Sequence, residues 1–152
     1  MGYDEFYMRE ALKDAAAAAI MDEVPVGAVI VKDGEIIARA HNLVETTHRS
    51  DAHAEMLALA EAEAKYGKWL PGATLYVTLE PCSMCAGAMI LARIDRLVYG
   101  TSDTKAGACG STIDVPGNKS LNHRIEITGG VLQEECSEIL KEFFRNKRRR
   151  TT

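Results

Sequence analysis

The sequence predicts an α/β protein of three layers, a five-stranded mixed sheet with helices on both faces. Three observations carry this expectation. Short apolar runs bounded by turn residues are interleaved with longer stretches of helical period. A two-residue Asp33-Gly34 turn joins the first two runs as an antiparallel hairpin. The later runs are separated by a helix or by a long connection, which is what parallel neighbours require.

In order, a helix is expected from Asp4 to Ile20, with Phe6, Ala11, Leu12, Ala15, Ala19 and Ile20 as its apolar stripe. Asp22-Glu23-Val24-Pro25 ends it. Val26 to Val31 reads as a buried strand and Glu35 to Ala40 as its hairpin partner. A polar connection, Asn42 to Ser50, leads to a helix from Ala52 to Tyr66, with Asp51 as N-cap. Pro71-Gly72 turns the chain into a strand from Thr74 to Leu79. A helix starting at Pro81 runs to Arg93, because a proline's missing N–H costs nothing in the first helical turn. Arg96 to Tyr99 is the next strand, reached by a right-handed parallel crossover. The Gly-, Ser-, Thr- and Asp-rich stretch from Gly100 to His123 is too long for a hairpin, so the strand Arg124 to Thr128 should run parallel to its predecessor. Gly129-Gly130 then turns into a last helix, Leu132 to Arg148.

Composition bounds the rest. The chain has 152 residues, of which 47% are hydrophobic and 26% charged, so a single domain over 1–152 can bury a core. The longest purely apolar run, Ala15 to Met21, is too short and alanine-rich to span a membrane. No basic-then-apolar leader precedes it, so a cytoplasmic location is expected, with Cys109 and Cys136 as free thiols. The net charge of −4 hides an asymmetry. Within 141–152 the cations Lys141, Arg145, Lys147, Arg148, Arg149 and Arg150 face a single acid, Glu142. A basic end on an acidic body suggests a local polyanion site; a solvated helix end, whose charges suit the helix dipole, is the plainer alternative.

The chemistry concentrates in Asp51-Ala52-His53-Ala54-Glu55 and Glu80-Pro81-Cys82-Ser83-Met84-Cys85. Cys82 and Cys85 are three apart and, on a helix, share one face. Near a helix N-terminus the dipole favours the thiolate, which is the metal-binding form. With His53 as third ligand, the set suits zinc and leaves a fourth position open, as a catalytic site needs. Residues two apart on a helix diverge, so Glu55 is expected beside the metal, moving protons, and not on it. A redox or structural C-x-x-C and a satisfied core histidine are the bland readings. A structural zinc site normally has four protein ligands.

H-x-E followed by P-C-x-x-C is the signature of the zinc-dependent nucleobase deaminases, and this chain resembles that group. Within it, nearly the whole chain is similar to the bacterial tRNA-specific adenosine deaminases. The matching pieces are Glu23-Val24-Pro25-Val26-Gly27-Ala28, His53-Ala54-Glu55-Met56, Thr78-Leu79-Glu80-Pro81-Cys82, Ala92-Arg93-Ile94, the loop Asp103 to Ser111 and Phe143-Phe144-Arg145. His48-Arg49-Ser50-Asp51 stands where an Asp-Pro-Thr run is common, and Cys109 where a small residue is usual.

The resemblance implies a three-layer α/β/α cytidine deaminase-like fold and one zinc per chain. It implies a homodimer, for which the apolar residues Met84, Met89, Ile90 and Leu91 provide surface. The implied reaction is hydrolysis of adenosine to inosine at the wobble position of a tRNA anticodon, with Glu55 as proton shuttle. It makes Asn42 a base contact, since its amide both donates and accepts, and makes Val26 and the backbone of Ala54 pocket-wall candidates. Asp103, Lys105 and Ser111 in the polar loop and Arg145 and Arg148 on the last helix are the candidate RNA contacts. Phe143 and Phe144 are expected in the core. Two other functions share some of these features: a metabolic deaminase of guanine or cytidine, and a non-catalytic zinc-stabilised RNA-binding module. The first gives no use to the basic end. The second gives none to Glu55.

Overall fold

The computed structural model describes residues 2–121 and 123–151, so Asn122 of the long connection and Thr152 of the basic end lie outside the described residues. Its elements are α1 (Gly2–Ile20), β1 (Gly27–Lys32), β2 (Glu35–His41), α2 (Val44–Thr47), α3 (Ala54–Tyr66), β3 (Thr74–Leu79), α4 (Ser83–Leu91), β4 (Arg96–Thr101), β5 (Glu126–Thr128) and α5 (Gln133–Thr151). The strands lie in the order β2-β1-β3-β4-β5. β1 is antiparallel to β2 and β3, whereas β3, β4 and β5 run parallel, as the long connection requires.

Strand alternation sends side chains to two cores. Ala28, Ile30, Leu75, Val77 and Leu97 meet α3 and α4 on one face, with Ala58, Leu59, Ala86 and Met89. Val29, Val31, Tyr76 and Val98 meet α1 and α5 on the other, with Met8, Ala11 and Cys136. No described helix is long and apolar enough to cross a membrane.

The stripe of α1 differs from the expected one. Phe6 and Ile20 are exposed, and the buried positions are Asp4, Met8, Ala11, Ala15 and Ala18. The short side chains let the helix lie close to the sheet. At Gly27 a Cβ would collide with the backbone of Ala11 and Ala15, so only glycine fits there. Asp4 enters the interior because Arg96 donates to its carboxylate from both terminal nitrogens, at 2.8 and 2.7 Å, and Tyr76 donates at 2.8 Å. A bidentate charge-assisted pair offsets the cost of burying the charge.

Two helix starts also differ. Asp51 does not cap α3, because its carboxylate is taken by Arg49 at 3.0–3.1 Å. The N-cap position is His53, in extended conformation, and α3 begins at Ala54. The Ala54 N–H is satisfied from β2 instead, donating to Asn42 Oδ1 at 2.9 Å. Likewise α4 starts at Ser83, with Cys82 at the N-cap. Pro81 precedes the helix, and its carbonyl accepts the Ala108 N–H at 2.9 Å. The polar connection after β2 holds the short helix α2, ended by His48 in the left-handed region. The long connection carries an isolated antiparallel bridge, Cys109 to Asp114.

Candidate active site

One edge of the sheet assembles the site. The residues entering β1 and those leaving β2, β3 and β4 all lie there, because β1 runs opposite to the other three. Ligands of open α/β sheets bind outside the carboxyl ends of parallel strands, and this is that edge. The helices α3 and α4 start here as well, which brings His53 to Cys82 and Cys85.

His53 Nδ1 lies 3.6 Å from Cys82 Sγ and 3.5 Å from Cys85 Sγ. The three ligand atoms fall within 4.8 Å of one another. A tetrahedral zinc with ordinary Zn–N and Zn–S bonds holds such atoms roughly 3.6 Å apart, so the cluster fits the ion. Neither His53 nor Cys82 is inside a helix: both sit at N-caps in extended backbone, and only Cys85 is in a first turn. The expected convergence therefore holds by a different geometry. Hydrogen bonding to Cys85 and then to His53 holds the Cys82 thiol down at about 4. The Cys82 sulfur, in turn, pushes Cys85 up and raises His53.

Glu55 lies one residue into α3 and is buried, its carboxyl against the Cys85 thiol. Burial raises its pKa to about 7, so near neutrality it can both hold and release a proton. It lines a cleft of about 250 Å³ together with His53, Cys82, Val26, Asn42 and Asp103.

The other candidates divide. Lys105, Arg145 and Arg148 line a separate groove of about 680 Å³ beside the cleft, with Lys141 and Phe144. Phe143 is buried, but Phe144 is exposed and faces this groove, so only one of the adjacent pair joins the core, as neighbours on a helix must. Ala54 is buried with its N–H committed to Asn42. Ser111 spends its hydroxyl on Glu80. The structure brings neither Ala54 nor Ser111 to the cleft wall.

Two carboxylates absent from the sequence-based list line the cleft. Buried Glu23 accepts the N–H groups of Glu45 at 3.1 Å and Thr46 at 2.6 Å, which fixes α2 at one lip. Buried Glu80 accepts the N–H groups of Asp103, Cys109 and Ser111 at 3.0–3.1 Å, which fixes the loop at the other. Burial opposes the charge of Glu80, yet the Ser111 hydroxyl and these N–H donors outweigh it and hold the carboxyl below its ordinary value. The available signal was an acidic residue placed immediately before Pro81-Cys82.

Residues 3–148 match the family model of the MafB19-like deaminases. The chain belongs to that family. This deaminase is 53% identical, over 99% of its length and 94% of the relative's, to a tRNA-specific adenosine deaminase of Bacillus subtilis (strain 168). Its fold superposes with a TM-score of 0.85, at 43% identity, on a structure solved in work on A-to-I editing by tRNA:A34 deaminases at the wobble position of transfer RNA. That match covers 89% of the deaminase and 99% of the solved chain. A guanine deaminase from Nitrosomonas europaea is less similar, with a TM-score of 0.77, 29% identity, and 91% and 83% of the two chains covered. The five-stranded sheet and its flanking helices are thus the cytidine deaminase-like fold.

Proposed function

We propose that this chain hydrolyses adenosine to inosine at the wobble position of a tRNA anticodon, in the cytoplasm, as one deaminase domain. The observation that carries the reading is the buried Glu55 beside a zinc-fitting His53–Cys82–Cys85 cluster, in a chain 53% identical to a tRNA-specific adenosine deaminase. A zinc held by these three residues supplies Lewis acidity and an activated water at neutral pH.

The chain's own residues do the rest. Glu55 takes a proton from the attacking water and places it on the ring nitrogen beside C6. It then delivers a proton to the departing amine, so that adenosine and water become inosine and ammonia. Burial suits it to both roles, because a carboxyl near pH 7 exchanges protons readily in either direction. Asn42 offers its amide NH2 to the purine edge, its carbonyl being held by Ala54. A cleft of about 250 Å³ admits one base, which a single-stranded loop can splay out cheaply. The neighbouring groove, with Lys105, Lys141, Arg145 and Arg148, takes backbone phosphates. Met84 and Leu91 are exposed on α4, which suits a homodimer, to be read by sedimentation at micromolar concentration.

The deciding experiment incubates the protein with total tRNA, guanine and cytidine and assays inosine, xanthine and uridine. Inosine confined to the wobble position is the expected outcome. Deamination of guanine or cytidine without any inosine in tRNA would replace this reading with the metabolic one.

A further inference from the structure

Glu80 carries more hydrogen bonds than the reaction asks of it. Its Oε1 accepts the Asp103 N–H and the Ser111 hydroxyl, and its Oε2 accepts the N–H groups of Cys109 and Ser111. Its own N–H donates to the Thr101 carbonyl at 2.9 Å. Among the described residues no cation pairs with it; its charge is met by backbone and hydroxyl donors alone. At Gly107 an added Cβ would lie 2.5 Å from the Glu80 carboxylate, so the loop closes onto this side chain at a residue that has none.

The segment so anchored separates the two cavities. Asp103 and Ala106 face the catalytic cleft. Thr101, Ser102 and Lys105, from the same turn of chain, face the basic groove. Glu80 is thus the post of a wall with the base on one side and the cationic groove on the other. Glu55 and the metal-ligating cluster lie elsewhere on the cleft, on α3 and α4.

We infer that Glu80 is a positioning residue for specificity. By fixing the 101–111 wall, it sets the register between the base in the cleft and the backbone phosphates in the groove, and so the choice of flanking nucleotides. The inference rests on the tRNA reading above. A carboxylate is required because all four bonds are accepted. Glutamine has the same shape but turns a donating NH2 toward two of the donors, and the wall is released at one end.

The test compares wild type, Glu80→Gln and Ser111→Ala on anticodon stem-loop RNAs that differ only in the nucleotides flanking the target adenosine. Metal content, thermal unfolding, kcat and KM are measured for each. Glu80→Gln is expected to retain its metal, raise KM about tenfold, and lose about tenfold in discrimination between flanking sequences, with kcat within about threefold of wild type. Ser111→Ala removes one of the four bonds and should shift KM and discrimination in the same direction, by less. It also decides the matter if Glu80→Gln does not fold. Unchanged KM and discrimination in the variants would overturn the inference, as would loss of metal and kcat together at unchanged KM, which would make Glu80 a mere support for the ligand helix. If wild type makes no inosine from any stem-loop, the tRNA reading falls. Glu80 is then judged by binding alone, where equal flanking-sequence preference in wild type and variant overturns its role.

Discussion

Arg150 reaches back 128 residues to donate to Asp22 Oδ1 at 2.8 Å, and Lys147 pairs with the same carboxylate at 3.8 Å. The basic end of α5 is therefore two-sided. Lys141, Arg145 and Arg148 recur at helical spacing toward the groove, while Lys147 and Arg150 bind the turn after α1.

The two faces should separate in binding. Replacing Arg145 and Arg148 by Ala should weaken tRNA binding and reduce the salt slope by about 2, roughly 0.9 for each lost phosphate contact. Replacing Lys147 and Arg150 should leave the slope near wild type. Truncation after Phe144 removes both sets, and should keep metal and fold while weakening binding. Filter binding between 50 and 200 mM salt, about the range where such contacts matter, reads this. A truncated protein with unchanged affinity at every salt concentration would reduce the tail to a solvated helix end.

Glu55 and Cys82 should fail differently. Glu55→Ala is expected to keep about one zinc per chain and lose at least about 10²–10⁴-fold in deamination, the contribution of positioned proton transfer. Cys82→Ala should lose zinc and activity together. Metal analysis of the two purified variants distinguishes them; zinc missing from the Glu55 variant would make that residue a ligand.

Stability in acid should depend on Asp4. The Arg96 guanidinium, followed by the Tyr76 hydroxyl, holds the Asp4 carboxyl below its ordinary value against the cost of burial. A carboxyl with a depressed folded-state pKa contributes stability that is fully present above its unfolded value, about 3.9, and lost as pH falls through the folded value. Asp4→Asn should therefore cost about 2 kcal/mol at pH 7 and show a flatter decline below pH 4. Thermal unfolding at a series of pH values checks it; parallel acid declines in the two proteins would remove Asp4 from the account.

Elements whose signals are local were legible. The strand Thr74–Leu79 matches its expected limits, because a buried apolar run lies between Pro71-Gly72 and Glu80-Pro81. The parallel placement of β5 followed from connection length alone. What escaped was held from far along the chain. Asp4 is buried by a partner 92 residues away, so its position on the core stripe of α1 had no local sign. The cap of α3 comes from Asn42, not from the adjacent Asp51. At the site, the ligand set and Glu55 were legible as a motif, whereas Glu80 and Glu23 looked like ordinary surface acids. Their work is to collect backbone N–H groups from loops, and no residue pattern announces that.

The bond from Ala54 to Asn42 constrains any attempt to retarget the enzyme. Asn42 borders the cleft and also holds the first turn of the helix that follows His53. A substitution there to suit another base would loosen the mounting of a metal ligand in the same stroke. Val26 faces the same cleft but has an apolar side chain that anchors no other element by hydrogen bonding. A redesigned base preference therefore has its natural starting point at Val26, with Asn42 left untouched.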